Sequence, residues 1–241
     1  MSMSAGSIPV VINSFNQPSY LRMMVNQLSA LGVDNLVIID QASTSPELLS
    51  LLDELKHRYP VVKLADNNGP HWFFLSRFSE LLPPRFAYTD ADLLFSAQLK
   101  SGFIDTMDAV LDDLSAIKVG LALDISQPAD MIRADFSIGG QLYTIQSWEA
   151  QFWKERVPSA TGLEVYRAPV DTTFALYDRD RFKEQVDRMR PHGRFSCMDT
   201  PGSYRLAGEF VAVHLPWMRD NRIPSAEWAA YLAGRGDIHA Y

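Results

Sequence analysis

Between Ile8 and Ser96, short β-branched apolar runs alternate with longer stretches whose apolar residues recur at helical spacing. Nothing else in the chain constrains the fold as strongly. A strand–helix–strand repeat can cover its apolar faces only as a parallel sheet flanked by helices. The first run, Ile8 to Phe15, is apolar on both faces and ends in polar residues, as a buried parallel strand does. A helix follows, with Pro18 near its start, Leu21, Met24, Val25, Leu28 and Leu31 on one face, and Gly32 as a stop. Asn35 to Asp40 is the second strand. Ser45 and Pro46 then open a helix carrying leucines at 48, 51, 52 and 55. Val61 to Asp66 reads as the third strand, His71 to Pro84 as a third helix, and Arg85 to Ser96 as the fourth strand. The expected fold class is α/β, with a Rossmann-like, mostly parallel central sheet flanked by helices.

The second half is less regular. Val119 to Asp124 reads as a strand, Thr144 to Val157 as an aromatic-bearing helix, and Val170 to Asp178 as a strand. Arg179 to Arg190 is a charged surface helix, and Gly208 to Trp217 a late strand. No repeat or low-complexity linker divides the halves, so the expectation is one compound domain over 1–241.

Composition narrows the function classes. The net charge of -7, without a basic block, argues against nucleic-acid or anionic-membrane partners. Cys197 is the single cysteine, which excludes a disulfide framework or a Cys-based zinc site and suits a reducing compartment. No run approaches the roughly 18 apolar residues of a transmembrane helix. The opening residues lack a positive region and a signal core. The expectation is a cytoplasmic protein, free or peripheral at the inner membrane face.

The fourth strand raises the functional question. It places Asp90 and Asp92 inside an otherwise apolar run, although buried carboxylates need a partner or a metal. Strand alternation points both the same way, and in open α/β sheets ligands bind outside the carboxyl ends of the strands. Two hard oxygen ligands there suit a divalent cation that also grips phosphates, Mn²⁺ or Mg²⁺. The alternative is that the pair begins a turn.

With these motifs in this order, the chain resembles the GT-A glycosyltransferases, especially bacterial family 2-like enzymes. The resemblance rests on IPVVINSFNQ, on VIIDQAST, on Asn67-Asn68-Gly69 and on TDADLLF. In the second half it reaches only PVDTTFALYD and GEFVAVHLPWM. It implies a GT-A fold, divided into a nucleotide-binding half at 8–96, an acceptor and catalytic half at 97–218, and a carboxyl-terminal tail at 219–241. It implies metal-dependent transfer of a sugar, inverting with retaining as the alternative, from a nucleoside-diphosphate sugar of UDP or GDP type to a hydroxyl acceptor: a glycan, a lipid-linked acceptor or a small molecule. Carried over by position, Asn13, Ser14, Asn16 and Asp40 hold base and ribose, and Asn68 lies in the backbone turn beside the donor. Asp90 contacts the ribose or a metal-bound water. Asp92 and His214 bind the metal. Asp171 is the base that takes the acceptor proton, with Asp124 and Asp135 as alternates. One departure stands out: the family often has Asp-Gly-Ser or Asp-Asn after strand two, whereas Gln41-Ala42-Ser43 follows Asp40 here.

Each residue also has a purely structural account. Asp40 can cap its loop, His214 can be a satisfied core histidine, and Asp171 can pair with Arg167. Trp72 and Phe73 read as core. Trp148 and Trp153 read as core too, with stacking on an acceptor sugar as the alternative. Arg77 lies either at the donor diphosphate or on the surface. Asp53, Glu54, Asp112 and Asp113 read as solvated helix faces, and His57, His192 and His239 are given no role. Two other classes stay in view: a nucleotidyltransferase, which needs a glycine-rich loop after strand one that is missing here, and a non-catalytic nucleotide-sugar or carbohydrate-binding protein.

Overall fold

The amino-terminal strands pair as the alternation demands. β1 (Val10–Ser14) lies parallel to β2 (Leu36–Asp40) on one side and to β4 (Arg85–Asp90) on the other, and β3 (Val61–Lys63) adds to β2. The computed structural model describes residues 8–132, 135–189 and 201–234; Cys197, His192 and His239 fall outside that set. Helix α1 (Pro18–Ala30) begins with proline at its first turn and buries Tyr20, Leu21, Met24, Val25 and Leu28. Gly32 closes it with φ +78°, a left-handed angle that suits glycine. Helix α2 (Pro46–Leu55) is capped by Ser45, whose hydroxyl accepts the Leu48 N–H at 3.3 Å. Together with α4 (Phe103–Asp113), α1 and α2 cover one face of the sheet.

The other face is packed differently, and here the expected third helix does not form as one piece. Helix α3 (Trp72–Leu75) stops after one turn, Arg77 is left-handed at φ 63°, and a 3₁₀ turn follows at Phe78–Leu81. The left-handed residue Arg77 turns the path, and packing holds the short pieces in place. Phe73 and Phe74 are adjacent and both buried, among Phe86, Tyr88, Tyr177 and Phe182. Phe86 and Tyr177 stack at 5.0 Å, and Phe73 and Tyr88 at 4.8 Å, each such pair contributing about 0.5–1.5 kcal/mol beyond area burial.

The expected fourth strand also divides. After Asp90 the chain bends through Ala91 and Asp92 and resumes as β5 (Leu93–Phe95), which pairs antiparallel with the end of β12 (Ser203–His214). β12 runs parallel to β6 (Lys118–Leu123), with an irregularity between Leu206 and Val211. β11 (Ala175–Asp178) lies antiparallel between β4 and β6, shorter than the strand expected from Val170 onward. β10 (Val165–Arg167) and β9 (Arg156–Val157) extend the edge beyond β12. The sheet order is therefore β3-β2-β1-β4-β11-β6-β12-β10-β9, with β5 on β12. A separate ribbon, β7 (Asp135–Ile138) with β8 (Gln141–Thr144), leads into α5 (Ile145–Ala150). Helix α6 (Arg179–Met189) buries Phe182 and Val186 against the aromatic face. The segment expected as a tail carries α7 (Ser225–Gly234), whose Glu227 accepts the Ser19 N–H at 3.0 Å and the Ser19 hydroxyl at 2.7 Å at the start of α1. Among the described residues no helix is long and apolar enough to cross a membrane.

Segment 168–174, which leads into β11, is fastened from below by buried cations. Lys118, fully buried, donates to the Val170 carbonyl. Arg205 donates to the Pro169 carbonyl at 2.6 Å and to Glu149 at 2.6 Å, and lies 4.4 Å from the centre of the Phe152 ring. Gly120 leaves room for the segment, since a Cβ there would come 2.5 Å from Val170 Cγ1. The Arg205–Glu149 pair is almost wholly buried, so removing one partner strands a charge. Glu149→Ala is expected to cost about 3–5 kcal/mol, measured by chemical denaturation; a loss under about 1 kcal/mol would mean the pair behaves as a solvated one.

Candidate active site

Strand register sorts the expected donor residues onto two faces. Val11 packs on the aromatic face, while Val10 and Ile12 pack on the helix-covered face. By alternation Asn13 points with Val11, and Ser14 with Ile12. Asn13 is paired in register with Asp90, and Ser14 with Asp40. Asn13 and Asp90 therefore do not line one wall with Ser14 and Asp40.

On the α1 side the polar groups stitch a loop. Asp40, buried, accepts the Ser43 N–H at 3.3 Å. The Ser43 hydroxyl accepts the Asn16 N–H at 3.0 Å. Asn16, left-handed at φ 51°, accepts the Thr44 and Ser45 N–H groups at 2.8 and 2.9 Å. Asp40 and Asn16 thus hold residues 43–45 beside the end of β1. Ser14 Oγ is buried without a hydrogen-bond partner among the described residues.

On the other side the polar groups converge on Asp90. Asn13 Nδ2 donates to Asp90 Oδ1 at 3.0 Å, and Gln41 Nε2 donates to Asn13 Oδ1 at 2.9 Å. The N–H of Asn68 donates to Gln41 Oε1 at 3.1 Å. The Thr172 hydroxyl donates to Asp90 Oδ2, and the Asp90 N–H donates to the Thr172 carbonyl at 3.0 Å. Burial and the neighbouring Asp92 push the Asp90 carboxyl up to about 7, against the bonds from Thr172 and Asn13. Gln41 carries no motif signal of its own; only the departure after Asp40 marked the place.

Asp92 and His214 are brought together by backbone pairing. The β5–β12 ladder sets His214 opposite Leu93 and continues through the Leu215 N–H, which donates to the Asp92 carbonyl at 3.0 Å. The side chains follow: His214 Nε2 lies 3.5 Å from Asp92 Oδ2. His214 Nδ1 is buried without a hydrogen-bond partner among the described residues, and Trp217 packs on the ring at 4.5 Å. The Nε2 edge of this imidazole, facing Asp92 with Asp90 close behind in the chain, fits a site able to receive a cation. Among the described residues no three His, Cys, Asp or Glu side chains are gathered into a complete metal cage.

Asp171 sits in the segment before β11, not at a strand start. Its partner is His71, with Nε2 at 3.3 Å from Oδ1. Arg167 pairs instead with Glu155 at 3.3 Å. Burial opposes ionisation of Asp171, but His71, and behind it Lys118, hold its carboxyl below the usual carboxylate range. Sequence reasoning gave His71 no role; its position directly after the Asn67-Asn68-Gly69-Pro70 turn was the available signal. Asp124 accepts the Ser126 N–H at 2.8 Å and caps a turn, while Asp135 opens β7. Arg77 is exposed and 3.8 Å from Glu80. Trp148 joins a ring cluster with Phe136, Tyr143 and Phe152, and Trp153 packs on Tyr166. Asp112 is not merely solvated: it pairs with Arg85, as do Asp108 and Asp178.

No family model matches the chain, and no curated protein matches it by sequence. Solved structures match by shape. A mannosyltransferase from Pyrobaculum calidifontis, solved in complex with GDP-Man and Mn²⁺, superposes with a TM-score of 0.55 at 13% identity, covering 95% of this chain and 65% of that one. HddC from Yersinia pseudotuberculosis superposes with a TM-score of 0.53 at 9% identity, covering 89% of this chain and 96% of that one. The chain thus spans just under two thirds of the mannosyltransferase's length. At such identities the likeness is one of architecture, and it agrees with the strand order and helix layers described above: the chain has the GT-A fold.

Proposed function

We propose that this protein is a metal-dependent, inverting glycosyltransferase that moves a sugar from a UDP- or GDP-type donor to a hydroxyl acceptor. The observation that carries the reading is the meeting of Asp92 and His214 beside Asp90 at the strand ends. Asp92 and His214 would hold Mn²⁺ or Mg²⁺. Bound there, the cation would neutralise charge on the departing diphosphate. In this reading residues 8–96 hold the donor and 97–218 the acceptor. Asn13 and Asp90 face the ribose side, while Asn16 and Asp40 shape the 43–45 loop around the base, with Ser14 beneath. Asn68 brings its turn against the donor. Asp171, kept ionised by His71, takes the hydroxyl proton as the acceptor oxygen attacks the anomeric carbon and the diphosphate oxygen leaves with the bonding electrons.

A thermal-shift panel of nucleoside diphosphates and sugar nucleotides, with and without Mn²⁺, tests the reading. The right donor at 100 times its dissociation constant should stabilise by about 2.7 kcal/mol, and only with the cation. No cation-dependent shift with any nucleotide would overturn it. A second measurement uses Asp90. Its charge is needed next to the cation but is lost as pH falls through about 7, so a proton competes with the metal. Mn²⁺ affinity in the presence of the diphosphate should weaken by up to about tenfold per pH unit below that point. A flat profile from pH 8 to 5.5 would remove Asp90 from the metal site.

A further inference from the structure

The hydrogen-bond chain at the strand ends has a fixed direction. A backbone N–H can only donate, and that of Asn68 points at Gln41 Oε1. Gln41 must therefore turn its NH₂ toward Asn13 Oδ1, and Asn13 must present its own NH₂ to Asp90. Neither amide has a second orientation that satisfies both its neighbours. Gln41 is only 1% exposed, and its backbone N–H is also used, on the Ser14 carbonyl at 3.0 Å. The residue is anchored through both its side chain and its backbone.

We propose that Gln41 is a positioning residue of the donor site: through the Asn13 amide it sets how Asp90 presents its carboxylate, and through Asn68 it ties the 67–69 turn to the same point. The role in donor binding rests on the glycosyltransferase reading; the relay itself does not. Gln41 touches no reacting atom and acts only through Asn13 and Asn68.

Gln41→Glu is the informative variant. It keeps the size and the acceptor for Asn68, but puts an oxygen where the NH₂ was. Asn13 then has to turn over to donate to residue 41, which sets its carbonyl against the Asp90 carboxylate. Residues 41 and 90 share no hydrogen bond among the described residues, so a double-mutant cycle with Asp90→Asn, read by denaturation of the metal-free protein, measures the relay. In the parent, Gln41→Glu should raise the unfolding equilibrium constant roughly tenfold or more. Most of that destabilisation should disappear with Asp90→Asn, because the new amide can donate to the turned Asn13 carbonyl. In an Asn13→Ala background the coupling between 41 and 90 should vanish. Coupling that persists there would be direct charge repulsion and would overturn the relay, as would simple additivity in the first cycle. Should Gln41→Glu not fold, Gln41→Met in the same cycle removes both polar ends without adding charge, with the same expectation. Mn²⁺ titration with GDP or UDP then reads the functional arm: Gln41→Glu should weaken the cation at least tenfold. Unchanged affinity with an intact relay would overturn the positioning role, whereas a parent that binds neither nucleotide would overturn the function reading instead.

Discussion

Asp92→Ala should abolish divalent-dependent nucleotide binding, weakening it by at least about 100-fold, while leaving the melting temperature of the metal-free protein unchanged or higher. The first half follows from the proposed ligand role of Asp92, whose Oδ2 lies 3.5 Å from His214 Nε2; among the described residues no group of three ligating side chains is gathered that could take its place. The second follows from electrostatics. Asp92 is one cause of the raised Asp90 carboxyl, so the two acids repel in the metal-free state and removal of one relieves the other. His214→Ala should weaken the metal without that relief. Calorimetric titration of Mn²⁺ into protein and nucleotide diphosphate, paired with thermal melts, separates the two effects. Parent-like Mn²⁺ binding by the Asp92 variant would remove the site from this bend.

Asp171→Asn should cut sugar transfer by roughly 100-fold or more with donor affinity close to that of the parent. The amide keeps the shape and can still meet His71, but it cannot take a proton. Its backbone is held by the Pro169 and Val170 carbonyls on Arg205 and Lys118, so the loop should not move. The readout is the split between turnover and donor binding. A variant that transfers at the parental rate would leave Asp171 as a counter-ion for His71 and return the search for a base to other acids.

How much of this was legible in the sequence varies with the range of the interaction. The parallel strands, α1 and α2 could be read because their signals are local: β-branched runs, Pro18, the Ser45 cap, Gly32. The third helix breaks because Arg77 is left-handed, a backbone angle that apolar periodicity does not reveal. The fourth strand was read as continuous because Leu93, Leu94 and Phe95 have the right composition, and composition is blind to a change of partner strand. Asp90 and Asp92 were found for a reason, alternation within one strand, that the bend at Ala91 replaces. His71 and Gln41 escape because their partners Asp171 and Asn13 lie far off in the chain. The turn before His71 and the departure after Asp40 mark the places without naming a partner.

The β5–β12 ladder has a consequence for how the protein comes into being. Of the proposed metal pair, Asp92 follows the fourth strand, and His214 ends a strand formed from residues more than a hundred positions later in the chain. Closing a loop of that length costs entropy before any contact rewards it, and pairings so distant in sequence form late. During synthesis the first four strands and their helices can collapse while the partner of β5 is still unmade, leaving Leu93 to Phe95 as an uncovered apolar edge. A nascent chain in that state is prone to stick to its neighbours and brings Asp92 and His214 together only when β12 docks. If the proposed function holds, cation binding would then act as a late lock on the assembled sheet, because the ion would have affinity for a pair of side chains that no earlier stage of folding possesses.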